Sequence, residues 1–424
     1  MATDQPRFPF VERTLDNGLR VVVHPDHSAP VVAVHVMYHV GSKNERPGKT
    51  GFAHLFEHLL FQGSEHVEGT EHMRIVQDAG GSMNGSTWFD RTNYYETLPS
   101  NRLDLALWLE SDRMGFFLPA ISQAKLDNQR DVVKNERRQS YENRPYGLAV
   151  ETVLEATFPE GHPYRHPAIG YMEDLDAATL DDVTGFFRTW YGPANATLVV
   201  AGDVTVETAV ERARHWFGDI RGERPPAPPE LVPRPPRRVD VRITDEVSVP
   251  RVYLAFPAPS FTEPGFEAAD VLTSLLADGR STRLYASLVH ERRVAADVSA
   301  YVWPTESVGL LWVVATARPG VDARSLEAEI RAVLDGLREQ GPTARELAGA
   351  RNRSRRQLVR QLDSVGRRAD MIAHATVYRG EPDYVNTVFG RYDAIDEAEV
   401  MAIAGRVLDP DDGTALHVVP EEEG

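Results

Sequence analysis

The spacing of apolar and polar positions along the chain sets out strands first and helices after them. Asn17-Gly18 is a tight-turn dipeptide, the run Leu19-Arg20-Val21-Val22-Val23 that follows reads as a strand, and residues 31–40 form a second β-rich run. Gly51-Phe52-Ala53-His54-Leu55-Phe56-Glu57-His58-Leu59-Leu60-Phe61 is apolar enough to be a buried helix. Ala79-Gly80-Gly81 ends another helix, and residues 82–88 read as a short polar strand. Helical periodicity returns over 103–117 and 125–141, where Arg144-Pro145 stops it, because the residue before proline avoids helical backbone. Strands followed by helices packed on one face of a sheet is an α+β pattern.

Residues 221–240 contain seven prolines and can be neither helix nor central strand. They predict a stiff, extended linker between residues 1–220 and 241–424. The two halves share a pattern. Leu180-Asp181-Asp182-Val183 opens a helix that ends at Tyr191-Gly192-Pro193, before the strand Ala196-Thr197-Leu198-Val199-Val200. Ile395-Asp396-Glu397 likewise opens a helix that runs to Val407-Leu408-Asp409-Pro410, before Thr414-Ala415-Leu416-His417-Val418-Val419. The expected fold is two homologous α+β lobes, each an antiparallel-rich sheet with helices on one face.

Composition narrows the partners. Sixty-three acidic against 46 basic residues give a formal charge of −17, which disfavours nucleic acid and anionic membranes and suits a cationic peptide better. The absence of cysteine excludes disulfides and thiolate metal sites. Met1-Ala2-Thr3-Asp4-Gln5-Pro6 lacks the basic and apolar segments of a secretory leader, and no apolar run reaches the ~18–20 residues that span a bilayer. The expectation is a cytoplasmic protein.

Two imidazoles and a carboxylate inside an apolar helix need a shared partner, since burying them unpaired costs several kcal/mol. One helical turn separates His54 from His58, so both project from one face, with Glu57 beside them. That geometry fits Zn²⁺ with a carboxylate placed to work on water, in the inverted order of the commoner His-Glu-x-x-His helix. A catalytic zinc takes three protein ligands, and spacing alone does not select the third. Glu136, after the apolar pair Val132-Val133, is a candidate.

The motifs around this helix are more specific. Gly41-Ser42-Lys43-Asn44-Glu45 precedes it, and Gly80-Gly81-Ser82-Met83-Asn84-Gly85-Ser86-Thr87 and Asp90-Arg91-Thr92-Asn93-Tyr94 follow. Asn135-Glu136-Arg137-Arg138 lies 78 residues past His58 at Glu136, and Pro193-Ala194-Asn195-Ala196-Thr197-Leu198 closes the half. Together they resemble the pitrilysin family of metallopeptidases, which includes insulin-degrading enzyme and mitochondrial processing peptidase, and in particular the zinc-bearing subunit of its short-chain branch. The resemblance spans essentially the whole chain, with residues 241–424 similar to the family's metal-free lobe. It implies that His54, His58 and Glu136 hold one Zn²⁺ per chain. Glu57 would be the general base that later passes its proton to the leaving amine. Asn84, Gly85, Ser86 and Thr87 would form an edge strand on which the peptide adds as a further strand.

Three departures stand out. Gln129 occupies a position where many relatives carry a second glutamate, and Gly85 one where alanine is usual. In the second half, Val289 and Ala296 stand where active relatives carry an Arg and a Tyr that complete the site. The expected enzyme is therefore a zinc endopeptidase subunit for peptides or unfolded segments, closing as a heterodimer with a homologous metal-free subunit that supplies Arg and Tyr. Leader-peptide processing and clearance of fragments are both open. The alternatives are a non-catalytic structural subunit and a self-sufficient homodimeric oligopeptidase.

Other features have plainer readings. Gly48-Lys49-Thr50 is no phosphate loop, because position 43 is lysine rather than glycine, and reads as a turn and helix start. The arginines at 353, 355, 356 and 360 read as a solvated helix face, and His66, His72, His162 and His166 as surface or loop residues.

Overall fold

The computed structural model of the chain describes residues 7–421; the stretch from Met1 to Pro6, read above for a leader, lies outside them. The strands are β1 (Val11–Thr14), β2 (Arg20–Pro25), β3 (Val31–Tyr38), β4 (Gly63–Ser64), β5 (Val67–Glu68), β6 (Ser82–Thr87), β7 (Thr92–Pro99), β8 (Ala196–Gly202), β9 (Arg238–Asp245), β10 (Arg251–Ala258), β11 (Ala295–Val302), β12 (Gly309–Ala317) and β13 (Gly413–Pro420). The helices are α1 (Phe52–Leu60), α2 (Glu71–Asp78), α3 (Leu103–Phe116), α4 (Gln123–Arg137), α5 (Ala149–Thr157), α6 (Met172–Asp176), α7 (Leu180–Trp190), α8 (Val206–Phe217), α9 (Phe266–Ala277), α10 (Ala323–Gln340), α11 (Ala344–Leu362), α12 (Val365–Arg379), α13 (Tyr384–Ala394) and α14 (Glu397–Val407).

Two compact units result. The first gathers the chain through Arg137 with His166–Leu231 and Arg360–Thr387. Its sheet has the order β1-β2-β8-β3-β7-β6, with β2 and β8 parallel and every other neighbouring pair antiparallel. The second gathers Arg138–Arg165, Val232–Val359 and the chain from Val388. Its order is β11-β12-β10-β13-β9, again with one parallel pair, β13 and β9. Without β1, the two sheets agree strand for strand and direction for direction. The recurring helix, turn and strand of the sequence are α7 with β8 and α14 with β13. The fold is α+β, as expected.

Helices cover both faces of each sheet rather than one. Successive residues of a strand point to opposite faces. On β3, His35 faces Asp370 of α12, while Tyr38 packs on Tyr94, which lies under Arg113 of α3. On β13, Thr414 bonds Thr157 of α5 at 2.8 Å, while His417 meets Glu327 of α10. The physical reason is visible in β3, whose run Val-Val-Ala-Val-His-Val-Met-Tyr is apolar on both faces and buried along its length. Each unit thus takes one covering helix from the other half of the sequence. Residues 221–237 carry neither helix nor strand, and β9 begins at Arg238.

Candidate metal centre

The helix α1 is built from both ends of its sequence context. Phe52, Ala53, Leu55, Phe56, Leu59 and Leu60 are buried and fix its inner face, leaving His54, Glu57 and His58 on a partly open stripe. Its start is held by Glu45, whose Oε2 accepts from the Gly51 amide at 2.8 Å and Oε1 from the Ala53 amide at 2.7 Å. Gly51 has φ of 82°, and a Cβ there would lie 2.5 Å from the Ile169 carbonyl oxygen, so only glycine fits. One residue earlier, Asp174 Oδ2 accepts from the Thr50 amide at 2.9 Å and hydroxyl at 2.6 Å. Thr50 and Gly48 are thus helix-start and turn residues, and Lys49 pairs with Asp182 rather than a phosphate.

The second helix, α4, is moored to the same segment that receives Thr50. Arg137 Nη1 donates to the Gly170 carbonyl at 2.7 Å, Arg130 Nε donates to that of Leu175 at 3.0 Å, and Lys134 pairs with Asp176. These contacts fix the rotation of α4 and turn Glu136 toward α1. Gln129, two turns earlier, is buried.

His54, His58 and Glu136 converge. His58 Nε2 is 3.3 Å and His54 Nε2 3.8 Å from Glu136 Oε2, and the two imidazole centroids are 4.8 Å apart. All three ligand-capable atoms lie within 4.8 Å of one another. Burial, with His58 as a second cause, lowers the His54 pKa to about 4, which keeps its ring neutral and a lone pair available. The hydrogen bond from His58 is the main cause that lowers the Glu136 pKa, keeping it a carboxylate. Two imidazoles and one carboxylate are a donor set that zinc accepts, so the residues fit the metal. Glu57 is aimed by Thr87, whose hydroxyl donates to its Oε2 at 2.7 Å. Burial raises the Glu57 pKa, and the Thr87 bond opposes that rise.

Thr87 belongs to β6, an edge strand paired, among the described residues, only with β7. Asn84 on this strand is exposed, and its Oδ1 accepts from the Gly85 amide at 2.9 Å. Ser86 donates to Asn93 Oδ1 at 2.7 Å, while Arg91 donates to the Ser86 carbonyl at 2.7 Å. A Cβ on Gly85 would come within 3.1 Å of the Phe61 ring and the Asn93 carbonyl oxygen, so the alanine usual in the family would need a shift of a few tenths of an ångström here.

Family models for "Insulinase (Peptidase family M16)" and "Peptidase M16 inactive domain" match residues 20–170 and 177–354. A Helicobacter pylori protein named "Zinc protease PqqE" is 31% identical over 379 residues, covering 88% of this chain and 85% of that one. The chain belongs to the M16, or pitrilysin, peptidase family. The crystal structure of a protease from Helicobacter pylori matches this M16 chain with a TM-score of 0.92 at 26% identity, over 98% of this chain and 100% of that one. An Arabidopsis thaliana protein named "Probable mitochondrial-processing peptidase subunit beta, mitochondrial" is 24% identical, covering 93% of this chain and 75% of its own.

The second unit of this M16 chain places Val289 in its core, and Ala296 exposed at a bulge of β11. Sequence reasoning missed several residues. His72, read as a surface or loop residue, is buried in α2, and His162 lies in a loop as read but is buried there. His72 Nε2 meets Glu96 at 2.7 Å, in a cluster with Glu110 that resembles a metal site. Arg113 already supplies the cation there, 3.0 Å from both Glu110 Oε1 and His72 Nδ1. Glu45 and Asp174 had no spacing rule to expose them, because each accepts from backbone amides, Glu45 six and eight residues along the chain and Asp174 from the distant Thr50. Replacing Glu45 with alanine leaves two buried amides unpaired. We expect a loss of about 1–3 kcal/mol per amide left unpaired, read as a lower thermal midpoint and faster hydrogen exchange over Phe52–Leu60.

Proposed function

We propose that this chain is the zinc-bearing subunit of an M16 endopeptidase acting on peptides or unfolded segments. The observation that carries the reading is the convergence of His54, His58 and Glu136 beside Glu57, with Thr87 of the edge strand β6 bonded to Glu57. His54 Nε2, His58 Nε2 and a Glu136 oxygen would hold the ion. Zinc held there supplies Lewis acidity toward a carbonyl and makes water acidic enough to lose a proton near neutral pH.

The chain's own residues do the rest. The free edge of β6 binds extended backbone, so recognition tolerates sequence and orders the scissile bond relative to Glu57. Glu57 accepts the proton of the attacking water and returns it to the leaving nitrogen. The Thr87 hydroxyl keeps that carboxylate oriented and ionised. Because position 289 is valine and 296 alanine, the donors that would stabilise the developing oxyanion are assigned to a homologous metal-free partner carrying Arg and Tyr. Cleavage of leader peptides and removal of fragments both fit a substrate recognised through its backbone.

Glu57→Gln should retain about one zinc per chain by metal analysis while hydrolysis of an unstructured peptide falls by about 10²–10⁴-fold; retained hydrolysis removes Glu57 from the role, and protein without zinc favours a scaffold. Thr87→Val deletes the bond that lowers the Glu57 pKa. The carboxyl then stays protonated to higher pH, and the acid limb of the kcat/KM profile should move upward in pH. The purified chain alone should cleave slowly and gain rate on adding a metal-free homologue with Arg and Tyr; full activity alone would contradict the heterodimer.

A further inference from the structure

Beyond the candidate centre, the second unit contains a hollow of about 570 Å³ between the face of β9, the middle of β13 and α10. Volumes of this size are typical of small-ligand sites. Arg238, Arg242, Arg324 and Arg331 line it with His417, against only two carboxylates, Asp240 and Glu327. This concentration of basic groups occurs on a chain whose formal charge is −17.

The arginines fall into a held set and a free set. Glu327, 7% exposed, lies at the floor. Its Oε1 accepts from Arg238 Nη2 at 3.0 Å and Arg331 Nε at 2.6 Å, and its Oε2 meets His417 Nε2 at 2.6 Å. Arg238 is fixed further by Asp240, to which its Nε donates at 2.9 Å. Oε1 of Glu327 is thus directed at two guanidinium groups and Oε2 at the His417 ring, so this carboxylate positions the groups that line the hollow. Arg242, next to His417 in the parallel register of β9 and β13, and Arg324, in the first turn of α10, are both exposed. Among the described residues their side chains make no ion pair or hydrogen bond. Strand β9 is the sheet edge, so the hollow is not closed by a further strand.

We propose that this hollow is a binding site for a small multivalent phosphate anion. Guanidinium groups are rigid forks of donors, and several forks approaching from different elements suit a tetrahedral group with many acceptor oxygens better than a single planar carboxylate. Arg242 and Arg324 make the new contacts, while Arg238 and Arg331, held by Glu327, present their remaining N–H groups. The site is independent of the peptidase reading, since none of its residues touches the candidate metal centre.

Titration calorimetry of the full chain at low ionic strength tests it, with sodium pyrophosphate and ADP as probes. Pyrophosphate should bind at about one per chain and weaken as salt is added. The double variant R242Q/R324Q should keep the wild-type thermal midpoint and zinc content yet lose affinity by about tenfold or more. Equal affinity for ADP marks the phosphates alone as the recognised group, and tighter ADP binding adds the nucleoside; either supports the site if the double variant abolishes it. Absence of heat with both probes, or binding that the double variant leaves unchanged, overturns it.

Discussion

The mooring of α1 and α4 to one segment, residues 170–178, is the constraint on which the candidate centre depends. Thr50 bonds to Asp174 and receives the Tyr171 amide at 2.9 Å, while Arg137 and Arg130 donate to the carbonyls of Gly170 and Leu175. A three-ligand set shared by two helices tolerates little displacement, because ligand geometry must hold to a fraction of an ångström. The charge-assisted bonds of Arg137, buried, and Asp174, part-buried, supply that rigidity; the exposed Lys134–Asp176 pair adds little. Gly170 and Gly51 meet at backbone distance, where a Cβ on Gly170 would lie 2.2 Å from the Gly51 nitrogen. Small residues and paired charges here do what the hydrophobic core does elsewhere.

The substrate edge is supported from inside in a similar way. Arg113 lies 4.2 Å from the Tyr94 ring and 5.1 Å from that of Phe61, whose edge fills the space beside Gly85. Burial raises the pKa of both Glu96 and Glu110. The cost of enclosing these carboxyls is offset only while Arg113 and His72 stay in place, so the network is sensitive to loss of any one member. It ties β7, and through it β6, to α2 and α3.

Much of this was legible in the residues. Turn dipeptides, apolar runs and the proline-rich stretch gave the order of elements, because each is a local preference. His54, Glu57 and His58 were legible because three titratable groups within an apolar helix conflict with burial unless they share a partner. Glu136 was not derivable from spacing: its neighbours are charged, and only the mooring of α4 turns it inward. Helix cover on the second face of each sheet was missed for the same reason. The continuous apolar run of β3 asks for it, but no local rule says that α12, more than 300 residues away, provides it. His72 looked like a loop histidine because its partners, Glu96 and Arg113, are adjacent only in space.

The exchange of α12 and α5 has a consequence for how such a chain can be divided. The polypeptide changes unit at five places, after Arg137, Arg165, Leu231, Val359 and Thr387. A fragment ending in the proline-rich stretch would possess every residue of the candidate centre but lack the helix that covers β3 and β8. Its complement would lack α5 over β13. Neither piece inherits a finished interior, so a gene split at the apparent linker would yield two products that need each other to fold. The two sheets repeat one another, but the trade of one helix each way leaves neither half of the sequence with all the elements of its unit.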